Sequence, residues 1–260
     1  MDILQEIAAS AKSRAEAKKK YIQTEKMIEM AVSVYGIGGF PFEKALRSDD
    51  IAFICEVKKA SPSKGIIAED FPYLEIACEY EDAGAAAISV LTEPCYFQGE
   101  DRYLREISDA VSVPLLRKDF IIDSYMIYEA KILGASVVLL ICALLDRDTL
   151  TEYINLAHKL GLSALVEVHD EEEIDVALSA GARIIGVNNR DLRTFKVDFT
   201  LSERLRKAVP DDVLFVSESG IGSPDDVARL RDIGVDALLI GESIMRSADK
   251  KAEIVRLRGY

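Results

Sequence analysis

Charged and polar side chains stand at the ends of apolar runs along this sequence. The run Ile51-Ala52-Phe53-Ile54 leads into Glu56 and Lys58, which a strand period of two sets on one face, with Cys55 and Val57 on the other. Lys118 ends "LLRKDF", Glu167 ends "LVEVHD", and Asn188 and Arg190 sit two apart in "GVNNRDL". Glu218, Ser219 and Gly220 follow one another in "FVSESG", and Gly241 and Ser243 lie in "LLIGESIM". A charge at the end of a buried strand is unfavourable unless it is paired or used. Brought together, an ammonium within reach of a carbonyl is a general acid, and carboxylates beside it are bases whose pKa values neighbouring charges push apart.

The elements that carry these residues repeat. Short apolar or β-branched runs fall at 51–57, 85–91, 113–117, 136–141, 162–168, 183–188, 213–217 and 235–240, and they alternate with helical patterns such as "TLTEYINLAHKLG". Gly84, Gly134, Gly161, Gly181 and Gly234 each stand just before the next run, where a left-handed C′ residue turns a helix into a strand. Runs without polar alternation imply strands buried on both faces, hence a parallel sheet covered by helices. Eight such units in 260 residues predict an α/β fold, a closed (β/α)8 TIM barrel. An open doubly wound sheet is the rival, but its Gly-rich first turn has no counterpart in "VKKASPSKG". Ahead of the barrel, apolar positions at Ile3, Leu4, Ile7, Ala8 and Ala11, then Met27, Ile28, Ala31 and Val32, predict one or two amphipathic helices. Residues 1–45 thus read as an N-terminal helical extension of a single barrel domain over 1–260, with "GIGGFPF" (Gly36 to Phe42) as the joint.

Bulk properties narrow the partners. The formal net charge of −13 disfavours nucleic acid and anionic membrane, so an anionic ligand must be held by local groups. No run approaches a membrane span, and the N-terminus lacks the layout of a signal peptide, which predicts a cytoplasmic protein. Four scattered cysteines (Cys55, Cys78, Cys95, Cys142) and two histidines (His158, His169) supply a zinc site poorly, so no metal is expected and the thiols read as reduced and mostly buried. His158 reads as a surface residue, His169 as a loop or supporting residue, and Cys142 as barrel packing. A monomer is expected.

In a barrel the site lies at the carboxyl ends of the strands, where all the residues named at the outset fall. The turns after runs seven and eight carry a second signal. Ser219-Gly220, an N-cap at Ser223 with Pro224 at the first helical position, and Gly241-Glu242-Ser243 offer backbone N–H groups and small side chains for a phosphate. Ser61 and Lys64 in the first loop could close over the same group.

In that order, "EVKKASPSKG", "LLRKDF", "VEVHDEEE", "GVNNRDL", "SESGI" and "LLIGESIM" resemble indole-3-glycerol-phosphate synthases, and the likeness spans the whole chain including the N-terminal extension. The resemblance implies conversion of the phosphosugar 1-(o-carboxyphenylamino)-1-deoxyribulose 5-phosphate to indole-3-glycerol phosphate, without metal or organic cofactor. It implies Lys118 as the general acid, Lys58 as the holder of the substrate carboxylate and a donor of a later proton, Glu167 as the proton exchanger in dehydration and Glu56 as a helping base. Asn188 and Ser219 complete that catalytic set. It places phosphate on Ser61, Ser219-Gly220, Gly241 and Ser243, the aromatic ring among Phe97, Phe120 and Leu139, and Arg190 on the rim beside Glu56. Glu218 and Leu239, at the ends of the last two runs, join the substrate-binding set. One departure stands out: after "YFQG" the family pattern has a small residue, where this chain has Glu100-Asp101. Other phosphosugar barrels, such as a ribulose-phosphate isomerase, would share the phosphate turns but not Glu56, Lys58, Lys118 and Glu167. A silent phosphosugar-binding protein should have lost at least one of those four.

Overall fold

The computed structural model describes residues 3–34, 38–191 and 194–259. Part of the Gly36–Phe42 joint, Gly36 and Ile37, lies outside the described residues, as does Leu192 of "GVNNRDL". Three helices precede the barrel: α1 (Ile3–Lys19), α2 (Thr24–Ser33) and α3 (Pro41–Leu46). Eight barrel strands follow, β1 (Ala52–Val57), β2 (Ala87–Leu91), β3 (Leu115–Lys118), β4 (Val137–Ile141), β5 (Ser163–Val168), β6 (Ile184–Asn188), β7 (Leu214–Glu218) and β8 (Ala237–Ile240), and a short antiparallel pair, Ala60–Ser61 with Gly65–Ile66, lies in the loop after β1. The bounds of the barrel strands agree with the sequence-predicted runs within two residues. Each pairs in parallel with its neighbours, and β8 pairs with β1, closing the barrel. The rival open sheet is thereby excluded.

Outside the strands run α4 (Tyr73–Asp82), α5 (Asp101–Ala110), α6 (Ser124–Ile132), α7 (Arg147–Lys159), α8 (Glu171–Ser179), α9 (Thr200–Leu205) and α10 (Pro224–Asp232), then α11 (Glu242–Arg246) and α12 (Lys250–Arg258). Seven strands are buried along their whole length, and β3 is buried up to Lys118, which matches their unbroken apolar runs. All five predicted helix-ending glycines have positive φ. At Gly134 the N–H bonds the Lys131 carbonyl while the next N–H, of Ala135, reaches back to Ala130; the same pair of bonds recurs at the other four. Each helix therefore ends in a Schellman motif whose C″ residue already leads into the next strand.

The extension lies along the barrel. Helix α1 buries Leu4, Ile7, Ala11 and Ala15 on one stripe, and α2 buries Met27 and Ala31 against the barrel side while Val32 of the predicted apolar face is 64% exposed. Cys55 and Cys142 are buried, and burial holds each thiol up near 12. Cys78 and Cys95 are exposed, because each sits at a helix or loop position facing away from the apolar stripe, so the expectation of mostly buried thiols holds for half of them. His158, expected at the surface, is half-buried edge-on to Phe40, ring centroids 5.6 Å apart. Among the described residues no helix is long and apolar enough to cross a membrane.

Candidate active site

The mouth of the barrel at the carboxyl ends of the strands holds a cavity of about 370 Å³. It is lined by Glu56, Lys58, Ser61, Phe97, Lys118, Phe120, Leu139, Glu167, Asn188, Arg190, Glu218, Ser219, Gly220, Leu239, Gly241 and Ser243, but not by Lys64, Ser223 or Pro224. The strand register brings the charged ones together. Glu56, Lys118, Glu167 and Glu218 come from β1, β3, β5 and β7, and alternate strands fill one interior layer of such a barrel. Parity also sorts neighbours: Lys118 points inward, whereas Arg117 is fully buried on the helix side, bonded to Asp101 at 2.8 Å and Glu129 at 2.7 Å.

Lys118 Nζ donates to Glu218 Oε2 at 2.6 Å and to Glu167 Oε2 at 3.2 Å, so the ammonium bridges two buried carboxylates. Burial alone would lower the pKa of Lys118, but Glu218, Glu167 and Glu56 outweigh it and the ammonium is held well above its ordinary range. For Glu167, burial pushes upward, while Lys118, His169 and an Asn188 hydrogen bond pull further downward, leaving it a carboxylate. Glu218 goes the other way: burial, against the pull of Lys118 and with the nearby charge of Glu167, lifts it to about 7. Two buried carboxyl groups on one ammonium cannot both ionise with equal ease. Lys58 ion-pairs with Glu56, whose other oxygen accepts from Ser89 Oγ at 3.4 Å. A Cβ on Gly241 would lie 2.6 Å from Glu56 Oε1 and 2.9 Å from Lys58 Nζ, so only glycine leaves room for that pair. Gly186 makes the same allowance for Glu218 Oε1.

One side of the cavity is apolar. Phe97 and Phe120 face each other with centroids 6.1 Å apart, and Leu139, Leu239 and residues Ile3, Leu4 and Ile7 of α1 complete that wall. The buried Glu93 carboxylate accepts the N–H groups of Tyr96 at 2.7 Å and Phe97 at 3.1 Å, which fixes the loop that presents Phe97. The departure at Glu100-Asp101 has a structural account: Glu100 is the N-cap of α5, and Asp101 ion-pairs with Arg117 and Lys18.

The turns after β7 and β8, which also line the cavity, are polar. Ser219 has φ 67°, a left-handed conformation uncommon for serine, and Gly220 follows at φ 81°. Ser223 caps α10 with Pro224 at its start, as predicted, and Asp226 completes a capping box there. Arg190 lines the rim, where it pairs with Glu242 at 3.7 Å and donates to the Phe195 carbonyl at 3.3 Å, while Lys58 and Ser89 meet the Glu56 oxygens. From the sequence Glu242 carries only its place in the Gly241–Ser243 turn; its carboxylate also meets Lys64 at 3.3 Å and Arg246 at 3.4 Å. The Glu242 and Arg246 pair sits at helical spacing i, i+4, a signal the sequence did carry. The wall from α1 had no local signal, since an apolar stripe does not say what it covers.

A protein-family model described as indole-3-glycerol phosphate synthase matches residues 4–257. Proteins of that name from Ruminiclostridium cellulolyticum and Endomicrobium trichonymphae are 57% and 55% identical over 99% and 95% of this chain, covering 99% and 96% of theirs. Among solved structures, 3-hexulose-6-phosphate synthase from Salmonella typhimurium (TM-score 0.66, 16% identity) covers 80% of this chain and 96% of its own. A mutant tryptophan synthase alpha-subunit from Pyrococcus furiosus (TM-score 0.62, 15% identity) covers 81% and 99%. At such identities these two share the barrel fold alone. Matched from end to end by the family model and at more than half of its positions by full-length relatives, the chain belongs to the indole-3-glycerol phosphate synthase family.

Proposed function

We propose that the cavity converts 1-(o-carboxyphenylamino)-1-deoxyribulose 5-phosphate to indole-3-glycerol phosphate, releasing carbon dioxide and water, in the cytoplasm and with no cofactor. The observation that carries this reading is the Lys118 ammonium, held 2.6 Å from Glu218 and 3.2 Å from Glu167 between an apolar wall and an anion-suited rim. The substrate has the same layout: an aromatic ring at one end, a phosphate at the other and a ketone between. Its ring stacks into the slot of Phe97, Phe120 and Leu139, bounded by Leu239. Its phosphate rests on Ser61, Ser219-Gly220, Gly241 and Ser243, with Arg190 at the rim.

The ring carbon that bears the carboxylate attacks the ketone carbon, and the ketone oxygen takes a proton from Lys118 as the new bond forms. The neighbouring carboxylates favour the ammonium form of Lys118, the form that can donate. Lys58, paired with Glu56, holds the ring carboxylate until the bond from the carboxylate to the ring breaks and carbon dioxide leaves, and the electron pair of that bond restores the aromatic ring. The hydroxyl then takes a proton from the Lys58 ammonium and leaves as water. Glu167, a carboxylate steadied by Asn188, takes the proton of the adjacent carbon, and Glu56 helps as a base. Clamping both ends of the substrate holds the reacting carbons together.

The chain contains no tryptophan, so indole fluorescence that grows during incubation with the substrate reports product. Lys118→Ala and Glu167→Gln are each expected to lower turnover by at least about a hundredfold, the scale of a general acid or base. Near-full turnover in both folded variants would remove the role assignment.

A further inference from the structure

His169 stands directly after β5, two residues past Glu167 and at the foot of α8. Its backbone N–H donates to Glu173 Oε2 at 2.7 Å, and its ring Nδ1 lies 3.4 Å from the same oxygen. On the other side of the ring, Nε2 lies 3.7 Å from Glu167 Oε1. Those two atoms are both buried and neither has a hydrogen-bond partner within 3.5 Å, so a small approach of the ring would satisfy both. A neutral imidazole carries one N–H and one lone pair, and would turn that lone pair on one of the two carboxylates. Only the imidazolium can donate to both.

We propose that His169 is a positioning residue that acts through Glu167: as an imidazolium between Glu173 and Glu167 it holds Glu167 ionised and aims its second oxygen into the cavity. The inference rests on the proton-transfer role of Glu167 proposed above. Glu167 Oε2 is already directed by Lys118, so His169 completes the set of donors on a carboxylate that strand β5 presents at its very end. Charged groups facing this assembly are Lys118 from β3 and Glu218 from β7, and Cys142 beside Glu173 stays a neutral thiol. Burial draws the imidazolium pKa down, and Glu173, Glu167 and Glu218 together outweigh it, so the charged form persists above the ordinary histidine value.

The chain has two histidines, which makes the test direct. In a histidine NMR titration, His169 is expected to titrate above the ordinary value, and to fall in both Glu173→Gln and Glu167→Gln. His158, drawn down to about 4 by burial and Arg183, serves as the internal control. In steady-state kinetics His169→Ala is expected to lower kcat about tenfold with KM unchanged, and to move the acid limb of the kcat/KM profile upward as Glu167 loses a cation. His169→Gln, which keeps a donor without the charge, should restore part of kcat but not the acid limb. A His169 that titrates identically with and without the Glu167 carboxylate overturns the proposal, as does a His169→Ala profile superimposable on the parent. If Glu167→Gln is inactive while His169→Ala is unaltered, this inference alone fails; if Glu167→Gln is fully active, the reading of Glu167 fails with it.

Discussion

At the scale of single residues, the cavity is a place where ionisation and folding oppose each other. Glu218 is a carboxyl group lifted to about 7 by burial, against an ordinary value of 4.5. The folded state then holds its proton more tightly than the unfolded chain does. Below pH 4.5 the group is protonated in both states and contributes nothing; between 4.5 and 7 stability falls as pH rises, and above that the loss is constant. Glu218→Gln should therefore gain on the parent as pH rises from 5 to 8, by a margin of about 3 kcal/mol at most, in denaturant titrations. A margin independent of pH would contradict the lifted value. Glu242 offers a second residue-scale test. Its carboxylate neutralises Lys64, Arg190 and Arg246 beside the anion-suited rim, so Glu242→Gln should make inorganic phosphate a competitive inhibitor about tenfold tighter, since one nearby charge is worth a few kcal/mol at most.

At the scale of elements, the repeated helix-to-strand turn has consequences that differ from unit to unit. Gly134 and Gly181 hold φ near 90° in the same motif, which a side chain resists by about 1–2 kcal/mol. At Gly181 an added Cβ meets nothing within 4 Å, so Gly181→Ala should cost only that much. At Gly134 the Cβ would land 2.5 Å from Ser108 Cβ on α5, and α5 packs against the helix side of β3. Urea midpoints should therefore rank Gly134→Ala clearly below Gly181→Ala, and equal midpoints would mean that α5 gives way freely.

At the scale of the whole molecule, the N-terminal extension is tied to the catalytic end of the barrel by ion pairs, one of them on a fully buried carboxylate. Arg14 of α1 bonds Asp119 at 2.8 Å, Lys18 reaches Glu129 at 2.6 Å, and Lys19 reaches Asp123 at 2.5 Å. Asp119 is fully buried next to Lys118; it also accepts from Thr92 Oγ1 at 2.8 Å and from the Phe120 N–H at 2.8 Å. Burial raises its pKa, and Arg117, Arg14 and Thr92 more than reverse that, so it is held below the ordinary value of 3.8. A depressed carboxylate contributes stability above its unfolded value and loses it as pH falls through the folded one. Asp119→Asn is expected to lower unfolding free energy by about 3–5 kcal/mol near neutral pH, as breaking a buried pair does, with the gap closing in strong acid. Because α1 also walls the cavity through Ile3, Leu4 and Ile7, the same variant should raise the KM for substrate.

Read alone, the chain determined its eight strands, their burial on both faces, the five helix ends and the order of polar residues at the strand ends. These depend on local period and local capping, which a short window contains: Glu56 and Lys58 share a face because they are two apart, and Gly134 ends α6 because the turn there needs a left-handed residue. Only closure of the barrel decided who meets whom. Lys118 finds Glu167 and Glu218 at separations of 49 and 100 residues, and no window spans those pairs. The same closure turned Arg190 toward Glu242, set the His169 ring against Glu167, and laid an apolar stripe of α1 over the mouth. Ion pairing in a buried layer is settled by which strands become neighbours and which side chains share a parity, and that information exists only once the first strand has paired with the last.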